Sequence, residues 1–138
     1  MKYYAAYGSN LNVQQMGVRC PNAKPVARGY IKGYKLVFRY YASIEPSDGD
    51  QVPVGIWAID EEDEKSLDRY EGYPSLYRKE YLDVLVEGEI SQEMSVMVYI
   101  MNENTRGYGK PSLFYLSTVA EGYDDVGLDL SYLERALV

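Results

Sequence analysis

Glu71 is the side chain of this sequence best suited to moving a proton. On a helix that starts after Asp60 it falls four residues after Leu67, so it shares the inward stripe defined by Leu67 and Tyr70. Carboxylates are seldom buried, and the last turn of a helix disfavours negative charge. Both effects lift the pKa of such a Glu above its ordinary value of about 4.3 and make it a stronger base. General acid/base chemistry is what this placement offers. The competing reading is a Glu that bends out to solvent or pairs with Arg69 or Arg78.

The second candidate group is built from backbone. Tyr7-Gly8-Ser9-Asn10-Leu11 closes a β-prone stretch, Lys2 to Tyr7, whose Tyr3, Ala5 and Tyr7 share a face, and it opens a helix. Gly8 reads as the residue that lets the chain turn where a Cβ would resist. Asn12 and Gln15 have capping-box spacing, and Leu11 with Met16 fits the flanking hydrophobic staple. The N–H groups of Gly8, Ser9 and Asn10 then gather at a helix N-terminus, a geometry that holds a carboxylate, phosphate or oxyanion. The plainer description is a tight βα turn whose Ser and Asn satisfy their own backbone, since this is neither a Walker loop nor a dinucleotide fingerprint.

What the chain lacks narrows the chemistry further. It has no His, which removes Ser-His-Asp and Cys-His systems and leaves too few ligands for zinc, so no metal or cofactor is expected. The single Cys20 cannot form an internal disulfide and reads as a small buried filler, in keeping with a cytoplasmic protein. A net charge of −7 without a basic stripe argues against nucleic acid. No stretch is apolar for long enough to span a bilayer, and residues 1 to 20 lack the pattern of a signal peptide. Sixteen Tyr against two Phe imply buried rings whose hydroxyls need partners, hence a polar-lined pocket.

The elements that must position these groups follow from periodicity. The 138 residues read as one domain. Lys24 to Tyr41 reads as two strands broken at Gly33, the second with Tyr34, Leu36, Phe38 and Tyr40 on its core face. Glu45 to Asp50, with Pro46 and Gly49, reads as a loop, and Val52 to Ile59, apolar on both faces, as a central strand. Asp60 caps the helix that carries Glu71, and Gly72 and Pro74 stop it. Tyr77 to Val86 and Glu93 to Met101 form a strand pair joined through Glu87-Gly88-Glu89. After a polar loop from Asn102 to Lys110, Leu113, Leu116, Ala120 and Tyr123 recur at helical spacing, as do Leu130, Leu133 and Leu137. Runs of adjacent strands with few inserted helices predict an α+β fold, a mainly antiparallel sheet or small closed barrel with helices outside.

Three segments, Tyr7 to Leu11, Leu67-Asp68-Arg69-Tyr70-Glu71-Gly72, and Pro111-Ser112-Leu113-Phe114-Tyr115 with Gly122, Gly127-Leu128 and Tyr132, give the chain a resemblance to the γ-glutamylcyclotransferase-like family in order, spacing and length. The resemblance implies a small β-barrel with peripheral helices and a pocket between the Tyr-Gly-Ser-Asn turn and the family's Glu, matched here by Glu71. It implies an enzyme that releases an amine from a small γ-glutamyl compound and forms 5-oxoproline. Tyr115 then corresponds to the family's pocket tyrosine, and Tyr77 to another ring of the site. Asp129 departs from the Pro that relatives often carry after Gly-Leu, at the start of the terminal helix. Two other readings stay open: a non-catalytic barrel that binds an anionic metabolite, and a Ser9 hydrolase with a Lys base, for which Lys2 is the only Lys before residue 24.

Overall fold

The computed structural model describes residues 2–87, 92–103 and 105–138. Five strands, β1 (Lys2–Ala6), β2 (Lys24–Arg39), β3 (Tyr41–Ile59), β4 (Tyr77–Val86) and β5 (Gln92–Met101), close into a barrel in the order β1-β3-β2-β4-β5. Four seams with register over these strands are antiparallel, and the closing seam between β1 and β5 is parallel, with Tyr4 opposite Met97. The turn expected at Glu87-Gly88-Glu89 lies, beyond Glu87, outside the described residues.

The central strand is where the pattern of apolar residues placed it. Val52 to Ile59 is buried throughout, because β1 covers it on one side and β2 on the other: Ile56 pairs with both Ala5 and Ala27. Two expected breaks take another form. Gly33 does not divide β2; at φ +80° it lies at the register shift between Lys32 and Tyr34, inside one long strand. Residues 45–50 fall within β3, with Glu45 opposite Lys35 and Pro46 opposite Tyr34, but pairing resumes only at Gln51 opposite Lys32, so 47–50 bulge out of the ladder where a loop was expected. β1 reaches β3 only from Gly55 onward, so Pro46 sits on an edge where its missing N–H costs no ladder bond. The tight corner between the two strands falls at Tyr40, at φ 67° and half exposed rather than in the core.

The helices ring this barrel. A 3-10 turn (Ser9–Leu11) leads into α1 (Val13–Arg19), where the Asn12 side chain accepts the Gln15 N–H at 3.1 Å. α2 (Glu61–Glu71) starts on a full capping box between Asp60 and Asp63 and ends at Gly72 in the left-handed region. α3 (Leu113–Val126) keeps Leu116, Ala120 and Tyr123 of the expected stripe against the core and adds Tyr115, Val119 and Gly122, whereas Leu113 at its first position is 85% exposed and Phe114 beside it 80%. α4 (Ser131–Ala136) buries its Leu133, with Leu137 partly buried after it and Leu130 half exposed before it, and Asp129, where relatives often carry Pro, accepts the Ser131 N–H at 2.9 Å just ahead of the helix. Among the described residues no helix is long and apolar enough to cross a membrane.

Candidate active site

The position of Glu71 is fixed by charges further back on α2. Lys79 on β4 reaches both Glu64 and Asp68, at 2.6 and 2.9 Å, and the Tyr99 hydroxyl of β5 donates to Asp68 at 2.7 Å. Lys2 on β1 adds a contact to Glu64 at 2.9 Å. With Leu67 fully buried beneath them, these ties hold the last turn of α2 against one end of the barrel. Tyr70 is not the inward ring expected of it; it is 44% exposed, yet its hydroxyl meets Ser9 Oγ at 2.9 Å. Arg69 and Arg78 go elsewhere, to Ser66 and to Glu80 with the Met101 carbonyl, so neither neutralises Glu71.

Where α2 ends, a cavity of about 320 Å³ opens, lined by Tyr7, Gly8, Ser9 and Asn10 of the turn, Glu71, Tyr77 and Tyr115, together with Tyr4, Tyr41, Ala42, Tyr70, Leu76, Tyr99 and Arg106. Every sequence-selected site residue but Leu11 is on that wall. Leu11 is wholly buried behind the turn and acts in the core. The Asn10 amide is held in one orientation: Arg19 donates to its Oδ1 at 2.7 Å, its Nδ2 donates to the Tyr4 hydroxyl at 2.9 Å, and the same nitrogen lies 3.4 Å from Glu71 Oε1. Burial pushes the Glu71 carboxyl up to about 7, against the opposing pull of the Arg19 guanidinium. Arg19 itself lies over the Tyr70 ring, 3.5 Å from its centre, and is tied to Gln15 at 2.9 Å. The carboxyl is thus poised to change protonation near neutrality, as a general acid/base requires.

Opposite Glu71, tyrosine hydroxyls hold the start of β3. Tyr77 donates to the Ala42 carbonyl at 2.7 Å, and the Ala42 N–H donates to the Tyr115 hydroxyl at 3.1 Å. Tyr7 donates to the Tyr99 carbonyl at 2.6 Å. Burial raises the pKa of Tyr7, Tyr77 and Tyr115, and the nearby Glu71 charge adds to it, so all three stay neutral. The Lys base of a Ser9 hydrolase is not at this site: Ser9 faces Tyr70, while the Lys2 ammonium is engaged by Glu64 and Tyr81.

Gly8 stands where a Cβ is resisted, as its type predicts. At φ −123° and ψ −131° it passes close to the cavity wall, and a Cβ there would stand 3.1 Å from both Ala42 Cβ and the Tyr115 hydroxyl. The turn needs glycine for close approach to the wall it faces. Gly8→Val should therefore abolish binding of a ligand to the cavity while circular dichroism of the barrel persists, since the γ-methyls enter cavity space. Unchanged ligand affinity in that variant would place the binding site elsewhere.

Arg19, Tyr4, Tyr41 and Arg106 were not selected from sequence. Arg19 had a weak local signal, its i,i+4 spacing to Gln15 at the end of α1. Tyr41 and Arg106 had none, because a hairpin corner and a loop from distant parts of the chain bring them to the cavity.

The γ-glutamyl cyclotransferase, AIG2-like family matches residues 4–116, a span that contains the turn, α2 with Glu71, and Tyr115. The chain belongs to this family. Among curated relatives, γ-glutamylcyclotransferases of Homo sapiens and Mus musculus are 28% and 27% identical over 96% of this family member and 75% of their own length. A solved structure described as a γ-glutamyl cyclotransferase superposes with a TM-score of 0.86 at 26% identity, covering 98% of this chain and 85% of the other. An AIG2-like protein from Mus musculus shares the fold at TM-score 0.65 and 23% identity, over 81% and 88% of the two chains. The expected α+β barrel with peripheral helices is thus the fold of this cyclotransferase family member.

Proposed function

We propose that the chain converts a γ-glutamyl amine or γ-glutamyl amino acid into 5-oxoproline and the free amine, with Glu71 as the general acid/base. The supporting observation is a single desolvated carboxyl, raised to about 7, on the wall of a tyrosine-rich cavity beside the Gly8–Asn10 turn.

The reaction suits a chain without His, because the substrate supplies its own nucleophile. The α-ammonium gives a proton to Glu71, and the freed amine attacks the γ-carbonyl carbon to close a five-membered ring. As that N–C bond forms the attacking nitrogen sheds a second proton to become the lactam N–H, and as the original γ-amide bond breaks the departing nitrogen takes up both protons, relayed by Glu71, and leaves as an ammonium. Atoms and charge balance without a co-reactant. The enzyme's larger task is to fold the glutamyl arm back on itself, which recruits an intramolecular advantage of up to roughly 7–11 kcal/mol for ideal geometry. In this reading the N–H groups of the Gly8–Asn10 turn meet the substrate's negative charge, Tyr7, Tyr77 and Tyr115 shape the glutamyl site, and Asn10 orients Glu71.

The test is a panel of γ-glutamyl compounds incubated with purified protein and assayed for 5-oxoproline. Saturable formation of 5-oxoproline from at least one is the expected result; binding without product throughout the panel would identify a metabolite-binding barrel instead. Activity should also survive exhaustive chelation. Among the described residues no cluster of three or more His, Cys, Asp or Glu could hold a metal ion. Loss on chelation with rescue by a divalent ion would recast the carboxylates as ligands.

A further inference from the structure

Among the described residues of the cavity wall, two side chains carry charge, Glu71 and Arg106. They differ in exposure: the Glu71 carboxyl is desolvated, whereas Arg106 is exposed, so Glu71 lies within the cavity and Arg106 at its mouth. Arg106 is held there from two directions. Its guanidinium sits 5.6 Å from the centre of the Tyr41 ring, and that ring stands edge-on to Tyr115 at 5.2 Å. Its backbone is fastened by Arg39, whose Nη1 donates to the carbonyls of Glu103 and Arg106 at 3.2 and 3.1 Å.

The two arginines have different charge partners. Arg39 is matched by Glu45 at 3.6 Å, whereas among the described residues no carboxylate lies within 4.0 Å of Arg106. In a chain of net charge −7, a positioned cation without an internal anion, facing into a cavity, is suited to an anionic group of the ligand. Cyclisation requires the glutamyl α-amine to reach Glu71, so the part of the substrate left toward the mouth is its amine side. A guanidinium fork on an aromatic platform matches a carboxylate in shape as well as charge.

We propose that Arg106, seated on Tyr41, is a specificity-determining residue that binds a carboxylate on the leaving amine and so favours γ-glutamyl amino acids over γ-glutamyl alkylamines. This rests on the cyclisation reading above.

The test compares γ-glutamyl-alanine with γ-glutamyl-ethylamide, which lacks the second carboxylate. kcat/KM for 5-oxoproline release and Kd by calorimetry are measured for the wild type, Arg106→Gln and Arg106→Glu. The wild type should favour γ-glutamyl-alanine by about 10–100-fold, the worth of one charge-assisted pair. Arg106→Gln should bring that ratio to within about threefold of one, with the loss falling on γ-glutamyl-alanine, and Arg106→Glu should reverse it. A wild-type ratio near one, a ratio unchanged in Arg106→Gln, or an equal loss on both compounds overturns the proposal; the last outcome would assign Arg106 to the glutamyl end. If neither compound yields 5-oxoproline, the cyclisation reading fails by itself and the Kd ratio decides: its collapse in Arg106→Gln upholds the carboxylate subsite, and equal Kd values or no binding reject it.

Discussion

Glu71→Gln should lower kcat by roughly 10²–10⁴ while the substrate still binds, because the amide keeps the shape of the side chain and its place beside Asn10 but cannot take the ammonium proton. The same variant should be at least as stable as the wild type. Burial raises the folded-state pKa to about 7 from an unfolded value near 4.5, so the folded chain binds more protons than the unfolded one between those values. Stability associated with this group is therefore fully present below about pH 4.5 and lost as pH rises through about 7. Replacing the carboxylate by a neutral amide should recover on the order of 2 kcal/mol at pH 8 and flatten that dependence, as denaturant titrations at several pH values would report. In the wild type, kcat/KM should fall about tenfold per unit as pH drops below about 7, where Glu71 becomes protonated, with ammonium deprotonation shaping the alkaline side. Near-full activity of Glu71→Gln, or an acid limb that persists in it, would show that another group is the base.

Gly122→Ala should be strongly damaging although it adds a single methyl outside the cavity. A Cβ on Gly122 of α3 would meet the Asn12 nitrogen and Leu11 Cβ at 2.7 Å and the Leu11 carbonyl carbon at 2.8 Å. Backbone atoms cannot yield as a flexible side chain can, so α3 and the 3-10 turn must separate. Overpacking of this kind typically costs about 1–3 kcal/mol and here adds a displaced turn. Since α3 carries Tyr115 and the turn carries Gly8 to Asn10, both sides of the cavity shift together. Thermal melts should show a clear drop in Tm, and kcat/KM at a temperature where the variant remains folded should still fall at least about tenfold. A variant with wild-type Tm and turnover would mean that this contact does not set the geometry of the turn.

The two expectations have a common origin in how the chain presents its local signals. Helix ends were legible because caps act over three or four residues: Asn12 to Gln15, Asp60 to Asp63, and Gly72 all do what their types and spacing predict. The inward direction of Glu71 was legible for the same reason, from its spacing to Leu67. Local signals misled where the neighbouring strand decided the outcome. Gly33, Pro46 and Gly49 mark turns by type, yet β2 runs on through Gly33 and β3 keeps Pro46 paired with Tyr34, and only 47–50, with Gly49, leave the ladder as a bulge. On α3 the expected stripe holds at Leu116, Ala120 and Tyr123 but not at Leu113, because the contacts of Gly122 with the 3-10 turn and of Tyr115 with Ala42 set the start of the helix and leave Leu113 and Phe114 in solvent.

The sequence by itself determined the residue types that permit the chemistry, since a chain without His and with one inward Glu has few ways to move a proton, and it determined the turn and helix that carry them. Closure of the barrel by a parallel β1–β5 seam, the rise of Glu71 to about 7, the Arg19 to Asn10 bond that orients the amide, and the arrival of Tyr41 and Arg106 at the cavity were decided only in three dimensions. Each of these depends on desolvation or on contacts between elements. Burial and charge are properties of what surrounds a group in space, and the residues around this cavity run from Tyr4 to Tyr115, too far apart for any spacing rule to join them.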